Sequence, residues 1–269
     1  MAVSAQDKRA AFRKLHESGC FVLPNPWDIG SARALQHLGF KAIASTSAGF
    51  AWSIGRADNQ VNVDDVCDHL AALCGAVDLP VNADFEGGFA REPDKVAVNV
   101  ARAVATGIAG LSIEDSTGDQ AAPLYERALA VERIKAARAA VGDSGAMLVG
   151  RCEAFLWGMT DLSLVIDRLT AYAEAGADCL YAPGLKWKEH IAEVVRAVQP
   201  KPFNLLIGGS GLSLAQAAEL GVRRISVGGS LARNAWAGFM KASREMAEQG
   251  TFTELAHGFP GGELNKMFG

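Results

Sequence analysis

The chain has 269 residues, 26 Lys+Arg against 30 Asp+Glu, five histidines, 49% hydrophobic residues and 21% charged. At roughly 100–200 residues per domain this permits one large domain or two small ones, and a chain of this length needs no disulfide or metal staple. The net charge of −4 offers no broad basic field for a phosphate backbone, which argues against nucleic acid, and the composition is too apolar for disorder.

The first segment, MAVSAQDKRAAFRKLHESG, reads as a polar helix without the apolar core of a signal sequence. Eight short apolar runs follow: Cys20–Pro24, Ala42–Ser45, Leu79–Asp84, Gly110–Glu114, Ala146–Cys152, Asp178–Ala182, Pro202–Ile207 and Arg224–Val227. Near-continuous apolar runs of this length mark strands buried on both faces, as in parallel sheets. Between them lie segments of helical spacing, such as Pro93–Thr106 with Val96, Val100 and Val104, and the later set Leu162, Val165, Ile166 and Leu169. A weak repeat joins the two kinds of element: LGFKAIAS, TGIAGLSIE, AGADCLYA and LGVRRISV each place a helix-ending glycine just before a strand. Strand and helix alternating eight times predict an α/β fold, a (β/α)8 TIM barrel, over one domain spanning residues 1–269.

The segment before Cys20 is then expected to cover the bottom of the barrel. The last barrel helix should run over Ser230–Glu248. The tail beyond it, with Phe252, Leu255, Phe259, Leu264, Met267 and Phe268, is apolar enough to pack on a neighbour or on its own barrel. No apolar run reaches the ~18 residues of a membrane span, so no membrane partner is expected. The five cysteines (Cys20, Cys67, Cys74, Cys152, Cys179) are odd in number and lack a CxxC pair, which predicts reduced thiols in a cytoplasmic protein.

Barrel enzymes work at the C-terminal ends of their strands, and here those ends are acidic. The third strand ends Asp84-Phe85-Glu86, where strand alternation would put both carboxylates on one side. The fourth ends Glu114-Asp115, the fifth Arg151-Cys152-Glu153 and the sixth Tyr181-Ala182-Pro183, while Asp58 lies in the long loop after the second. Carboxylates converging on one mouth repel each other unless a cation offsets them. Oxygen ligands without clustered His or Cys point to Mg²⁺ or Mn²⁺ rather than Zn²⁺. Arg151 beside them suits a bidentate grip on a carboxylate or phosphate. The competing reading makes Asp58, Asp84, Glu86 and Glu114 solvated loop residues, helix caps or ion-pair partners.

Other residues carry weaker signals. The turn Ser45-Thr46-Ser47 suits either an oxyanion or the cap of a following helix. The segments Ile207-Gly208-Gly209-Ser210-Gly211 and Gly228-Gly229-Ser230 follow strands seven and eight, where barrel enzymes often hold phosphate, though glycine turns also simply reverse chains. Cys152 should point away from the pore. His16, His37, His69, His190 and His257 fall on helices or in the tail, leaving little support for a histidine-based triad.

Taken together and in order, these motifs resemble those of the isocitrate lyase/phosphoenolpyruvate mutase superfamily over nearly the whole chain. LPNPWDIGSARALQHLGFKAIASTSAGFAWSIGRAD is similar to that family's first two barrel units. Asp84-Phe85-Glu86-Gly87-Gly88-Phe89 stands at its Asp-Ala-Asp-x-Gly-Tyr/Phe metal motif, LSIEDS at its fourth-strand Glu-Asp, and GRCEAF at its fifth-strand Ala-Arg-x-Glu-Ala. The resemblance implies a barrel whose C-terminal helix is exchanged between subunits of a homodimer or tetramer. It implies Mg²⁺ held by Asp58, Asp84, Glu86 and Glu114, partly through water, and 2-oxo or 2-hydroxy acid substrates that react through an enolate. By position, Arg151 would hold a carboxylate or leaving group, and Thr46-Ser47-Ala48, with Ser45 before it, would bind the oxo-acid carboxylate.

Departures narrow the chemistry. The family's C–C lyases carry a Lys-Lys/Arg-Cys-Gly-His motif after the fourth strand. Here that stretch is STGDQAAPLYERALAVERI, with no cysteine, histidine or lysine, which argues against an isocitrate or methylisocitrate lyase. Pro183 stands where the mutase and phosphonopyruvate hydrolase branch has a histidine, and Glu86 replaces the metal motif's second Asp. What remains suits decarboxylation of a 2-oxo diacid such as oxaloacetate, or cleavage of a related oxo acid. Asp119, Tyr125, Glu126 and Arg127 lie on the loop able to close over the mouth, and Tyr125 is its best proton donor, against a packing role. The alternatives are P–C bond chemistry on phosphonopyruvate and a non-catalytic barrel that binds an oxo acid.

Overall fold

The computed structural model describes residues 3–209 and 211–269; Ser210 of the glycine-rich segment after the seventh strand lies outside the described residues. All eight expected strands form, the fourth with the expected bounds and the other seven trimmed by one or two residues at one or both ends: β1 (Phe21–Leu23), β2 (Ile43–Ala44), β3 (Val81–Asp84), β4 (Gly110–Glu114), β5 (Met147–Arg151), β6 (Cys179–Tyr181), β7 (Phe203–Leu206) and β8 (Arg224–Ser226). They are parallel, in the order β1-β8-β7-β6-β5-β4-β3-β2. The Ala44 N–H donates to Pro24 O at 3.0 Å across the seam between β2 and β1, so the barrel is nearly closed.

The helices are α1 (Ala5–Leu15), α2 (Ile29–His37), α3 (Ser47–Ser53), α4 (Val63–Ala76), α5 (Pro93–Ala105), α6 (Arg127–Val141), α7 (Leu162–Glu174), α8 (Lys188–Val198), α9 (Leu214–Glu219), α10 (Ser230–Gln249) and α11 (Gly261–Phe268), with a 3-10 turn at Thr253–His257. Side-chain caps start several of them: Asp28 accepts from Ser31 N, Asn62 from Asp65 N and Asp161 from Ser163 N. The four repeat glycines, Gly39, Gly107, Gly176 and Gly221, all have φ between 84° and 105°. A side chain there would be strained, which is why the helix-to-strand corners use glycine.

Helix α1 closes the bottom of the barrel. Phe12, fully buried, plugs it against Leu23, Ala42, Ala44, Ala109 and Met147. The basic residues of this helix bind backbone carbonyls at the barrel floor. Lys8 Nζ donates to Cys74 O and Val77 O, Arg9 to Val104 O, Ile108 O and Ser144 O, and Arg13 to Gly145 O and Ala146 O. Those at Cys74, Val77 and Val104 lie at the ends of α4 and α5, where carbonyls lack intrahelical partners.

At the other end of the chain, α11 packs against α2 of its own barrel. Helix α10 is different: of its 20 residues only Ala232 and Glu245 are buried, and Phe239 is 60% exposed. Phe252, Leu255 and Phe259 beyond it are exposed as well. No helix among the described residues is long and apolar enough to cross a membrane.

Candidate active site

The strand register assembles the mouth. Glu114 is the lateral neighbour of Arg151, and Arg151 of Tyr181, so the ends of β4, β5 and β6 present an acid, a base and a phenol in one row. Arg151 Nη1 lies 3.0 Å from Asp84 Oδ1 and 3.2 Å from Glu114 Oε2, while Nε donates to Glu153 Oε1 at 2.6 Å. Its guanidinium also sits 5.1 Å from the centre of the Tyr181 ring. Burial works against the charge on Arg151, but the surrounding Glu153 and Glu114 carboxylates raise its pKa well above the ordinary value.

One guanidinium does not balance this set. Glu86 Oε1 is buried without a hydrogen-bond partner. Burial, then the charges of Asp84 and Asp58, push the Glu86 carboxyl up to about 8 against the opposing pull of Arg151. Burial also raises Glu114, with Glu153 and Asp84 adding to the shift where Arg151 opposes it, and Asp58 is raised by burial and by Asp84. The strand stops at Asp84, so alternation does not aim Glu86. A left-handed backbone at Glu86 (φ 45°), a rare state for a non-glycine residue, forms the turn that brings it to the mouth.

Two cavities meet at this cluster. The upper one, about 710 Å³, is lined by Asp58, Glu86, Glu114, Arg151 and Glu153 and walled by Phe89, Tyr125 and Trp157. The lower one, about 170 Å³, descends from Ser47, Asp58, Asp84 and Arg151 into the barrel bore. Among the described residues no three His, Cys, Asp or Glu side chains are arranged to hold an ion directly. The donors present are hard oxygens with one orphaned buried carboxylate oxygen, which fits a hydrated Mg²⁺ or Mn²⁺ whose remaining ligands are water.

The residues singled out by sequence occupy distinct places. Asp58, Asp84, Glu86, Glu114, Arg151 and Ser47 converge. The Ser47 N–H and hydroxyl both donate to Asp84 Oδ2 at 3.0 Å, so that backbone donor is committed. Ser45 and Thr46 are buried beneath: the Ser45 hydroxyl accepts from Asp84 N at 2.9 Å, and Thr46 caps α3. The Ala48 N–H makes no hydrogen bond among the described residues. Tyr125 stands across the upper cavity with Arg133 over its ring at 4.0 Å. Asp119, Glu126 and Arg127 are exposed, and Arg127 pairs with Asp167. In the turn after β8, the N–H groups of Val227 and Gly228 both donate to Asn25 Oδ1 at 2.9 Å and are not free for a phosphate. Cys152 is buried in the layer between sheet and helices.

Several residues of the site were given no role by the sequence alone. Glu153 and Tyr181 line the cavities, and their strand-end positions were their only signal. Asp115 faces away from the pore and receives Tyr172 Oη (2.6 Å), Arg168 Nη1 (3.1 Å) and Glu153 N (2.8 Å). Its backbone carbonyl accepts from Tyr125 N, and Arg168 Nη2 donates to Tyr125 O, so one buried network ties the loops after β4 and β5 together. Arg133, 1% exposed, reaches from α6 to the carbonyls of Gly87, Ala90 and Arg91 and holds the loop that carries Glu86.

The nearly closed barrel and its acid-lined mouth define a (β/α)8-barrel enzyme. The family model described as phosphoenolpyruvate phosphomutase matches residues 12–247, and the chain belongs to the phosphoenolpyruvate mutase/isocitrate lyase superfamily. A Burkholderia cenocepacia J2315 crystal structure, provisionally described as a lyase/mutase, is 46% identical, with TM-score 0.94 over 98% of this chain and 96% of that one. Oxaloacetate decarboxylase of Rhodopseudomonas palustris (strain ATCC BAA-98 / CGA009) is 29% identical over 234 residues, covering 82% of this chain and 78% of the relative. The crystal structure of 2,3-dimethylmalate lyase, a member of the same superfamily, is 25% identical with TM-score 0.85, covering 100% of this chain and 95% of that one. The relatives are lyases and mutases, and the chain is an enzyme of that kind.

Proposed function

We propose that this enzyme is a lyase dependent on Mg²⁺, with Mn²⁺ as the alternative, acting on a small 2-oxo or 2-hydroxy acid through an enolate. Oxaloacetate decarboxylation is the simplest such reaction. The observation that carries the reading is the surplus of buried carboxylates around Arg151, with Glu86 Oε1 left without a partner. Asp84, Glu86, Glu114 and Asp58 would hold the cation, in part through water. When bound, the cation supplies a Lewis acid for the 2-oxo oxygen and the charge that develops there.

The chain's own residues do the rest. The free Ala48 N–H, on the turn built by Ser45, Thr46 and Ser47, orients the oxo-acid carboxylate. Arg151, locked by Glu153 and by the carboxylates on either side, holds a second carboxylate or the leaving group without having to reorganise. In a decarboxylation the bond to the departing carboxylate breaks, its electron pair moves into the enolate, and a proton returns to the same carbon. Tyr125, on the wall of the upper cavity, would return it, with Glu114 and Asp58 shaping the field. The five cysteines are all free, which supports a cytoplasmic enzyme. The bare apolar residues of α10 and the tail support a homo-oligomer in which this helix is exchanged between subunits.

The phosphonate reading rests on the glycine turns after β7 and β8, and Asn25 already occupies two of those N–H groups. The test is 2-oxo acid release (pyruvate, or glyoxylate from isocitrate), with phosphoenolpyruvate also measured for phosphonopyruvate, from oxaloacetate, phosphonopyruvate, isocitrate, methylisocitrate and dimethylmalate, with Mg²⁺, with chelator and in Asp84→Ala. Metal-dependent turnover of oxaloacetate, lost in the variant, is the expected result. Preferential turnover of phosphonopyruvate would replace the proposal with phosphonate chemistry, and silence across the panel would favour a binding barrel.

A further inference from the structure

The bore beneath the mouth is polar, whereas barrel interiors are ordinarily filled by branched apolar side chains. Asn82, Ser112, Asn204, Ser226 and Arg224 line the lower cavity, with Arg224 toward its base. Arg224 is 2% exposed, and no carboxylate lies within ion-pairing distance of it among the described residues. Its Nε donates to Asn204 Oδ1 at 2.8 Å, and Nη1 makes only 3.4 Å contacts with His16 Nε2 and Asn82 Oδ1. Nη2 makes no hydrogen bond among the described residues.

All of these partners are neutral. His16 Nδ1 donates to Phe12 O at 2.8 Å, which leaves Nε2 as the unprotonated nitrogen facing Arg224. A buried guanidinium without a counter-charge is unfavourable unless an anion completes it. The five carboxylates at the mouth sit above it. Asn82, which Arg224 approaches, lies two residues below Asp84 on β3, about 6.5 Å along the strand. A cavity of 170 Å³ has room for about five waters, or for the acid group of a small molecule reaching down from the mouth.

We infer that Arg224 is the base of an anion subsite that takes a carboxylate. The favoured substrates are then dicarboxylic acids, the acid group that would otherwise meet the Ala48 N–H being lowered past it into the bore while the reacting end stays beside Asp84 and Arg151. The substrate class rests on the proposed lyase reading; the anion site itself does not.

The test is binding, without turnover, to the full chain in chelator. Malonate is titrated against thermal unfolding and in a calorimeter, with acetate and chloride at matched ionic strength as comparison anions. Malonate is expected to raise the melting temperature in a saturable way, while chloride gives no saturable shift. Arg224→Gln should weaken malonate at least tenfold and leave the circular dichroism and a cooperative melt intact. Asn204→Asp offers a second route if that variant fails to fold. It puts a carboxylate of the same shape 2.8 Å from Nε, so it should raise the melting temperature and abolish the malonate effect. Unchanged malonate affinity in either folded variant, or an equal saturable shift from chloride, would overturn the assignment. Absence of malonate binding in a wild-type enzyme that turns over oxo acids would refute the subsite and leave the lyase reading standing. Intact binding in an enzyme inert on the substrate panel would do the reverse.

Discussion

Replacing Tyr172 by Phe removes one oxygen from the interior and tests whether the network behind the mouth is under real load. Tyr172 is 1% exposed, and its hydroxyl donates to Asp115 Oδ2 at 2.6 Å. Burial and the neighbouring Asp115 raise its pKa well above the ordinary phenol range, so it stays a protonated donor at any working pH. A hydrogen bond to a charged acceptor contributes about 1.5–3 kcal/mol, and the ring itself is retained, so no cavity larger than the oxygen is made. At about 2–4 °C per kcal/mol for a chain near this size, the melting temperature should fall by roughly 3–12 °C. The urea midpoint should fall with the slope unchanged. Asp115 also accepts from Glu153 N, and Glu153 holds Arg151, so kcat/KM should fall even at temperatures where the variant is fully folded. A melting temperature within 1 °C of wild type, with kcat/KM unaltered, would refute the claim that this network positions the mouth.

Other consequences follow from the barrel bottom. Phe12→Ala empties the plug beneath β1, β2 and β5 and should cost about 3–5 kcal/mol, read as a lower urea midpoint; a loss under 1 kcal/mol would mean that α1 is not needed to close the barrel. His16 titrates at about 3 in the folded protein, chiefly from burial and secondarily from Arg224, against 6.5 unfolded. The unfolded chain therefore binds the proton first, so this contribution is whole above pH 6.5 and is lost as the pH falls toward 3, by up to about 1.4 kcal/mol per pH unit. His16→Gln should flatten the acid limb of stability between pH 6.5 and 4.5; parallel limbs in the two proteins would contradict the neutral buried imidazole. Gly176→Ala forces a side chain at φ 105° into Arg138 Cγ at 2.7 Å, and should lose more than 1 kcal/mol in the same urea assay.

The barrel was legible because a parallel strand buried on both faces must be apolar throughout, and the glycine corners mark where each strand begins. The acids at the strand ends were legible for a similar reason: Asp84, Glu114 and Arg151 are the residues at which apolar runs stop. Glu86 was legible as an acid but not in its manner of arrival, since nothing in Asp-Phe-Glu-Gly-Gly announces a left-handed glutamate. Charged residues buried on helices were the blind spot. Lys8, Arg133 and Arg168 carry no signal in the sequence, yet each is buried against carbonyls, with Arg168 also reaching a carboxylate, in another part of the chain. Such partners lie 40 or more residues away along the chain and leave no local pattern. Arg224 was read as the start of a strand, and only closure of the barrel shows that its side chain lies inside.

In the proposed reaction the surplus of carboxylates at the mouth holds a divalent cation. Titration of Mg²⁺ into the metal-free protein by calorimetry, for wild type and Asp84→Ala, tests this most directly. The expected result is one ion per chain, at least a tenfold loss of affinity in the variant, and a melting temperature that rises with occupancy in wild type alone. Absence of saturable binding in the wild type, or equal affinity in both proteins, would contradict it.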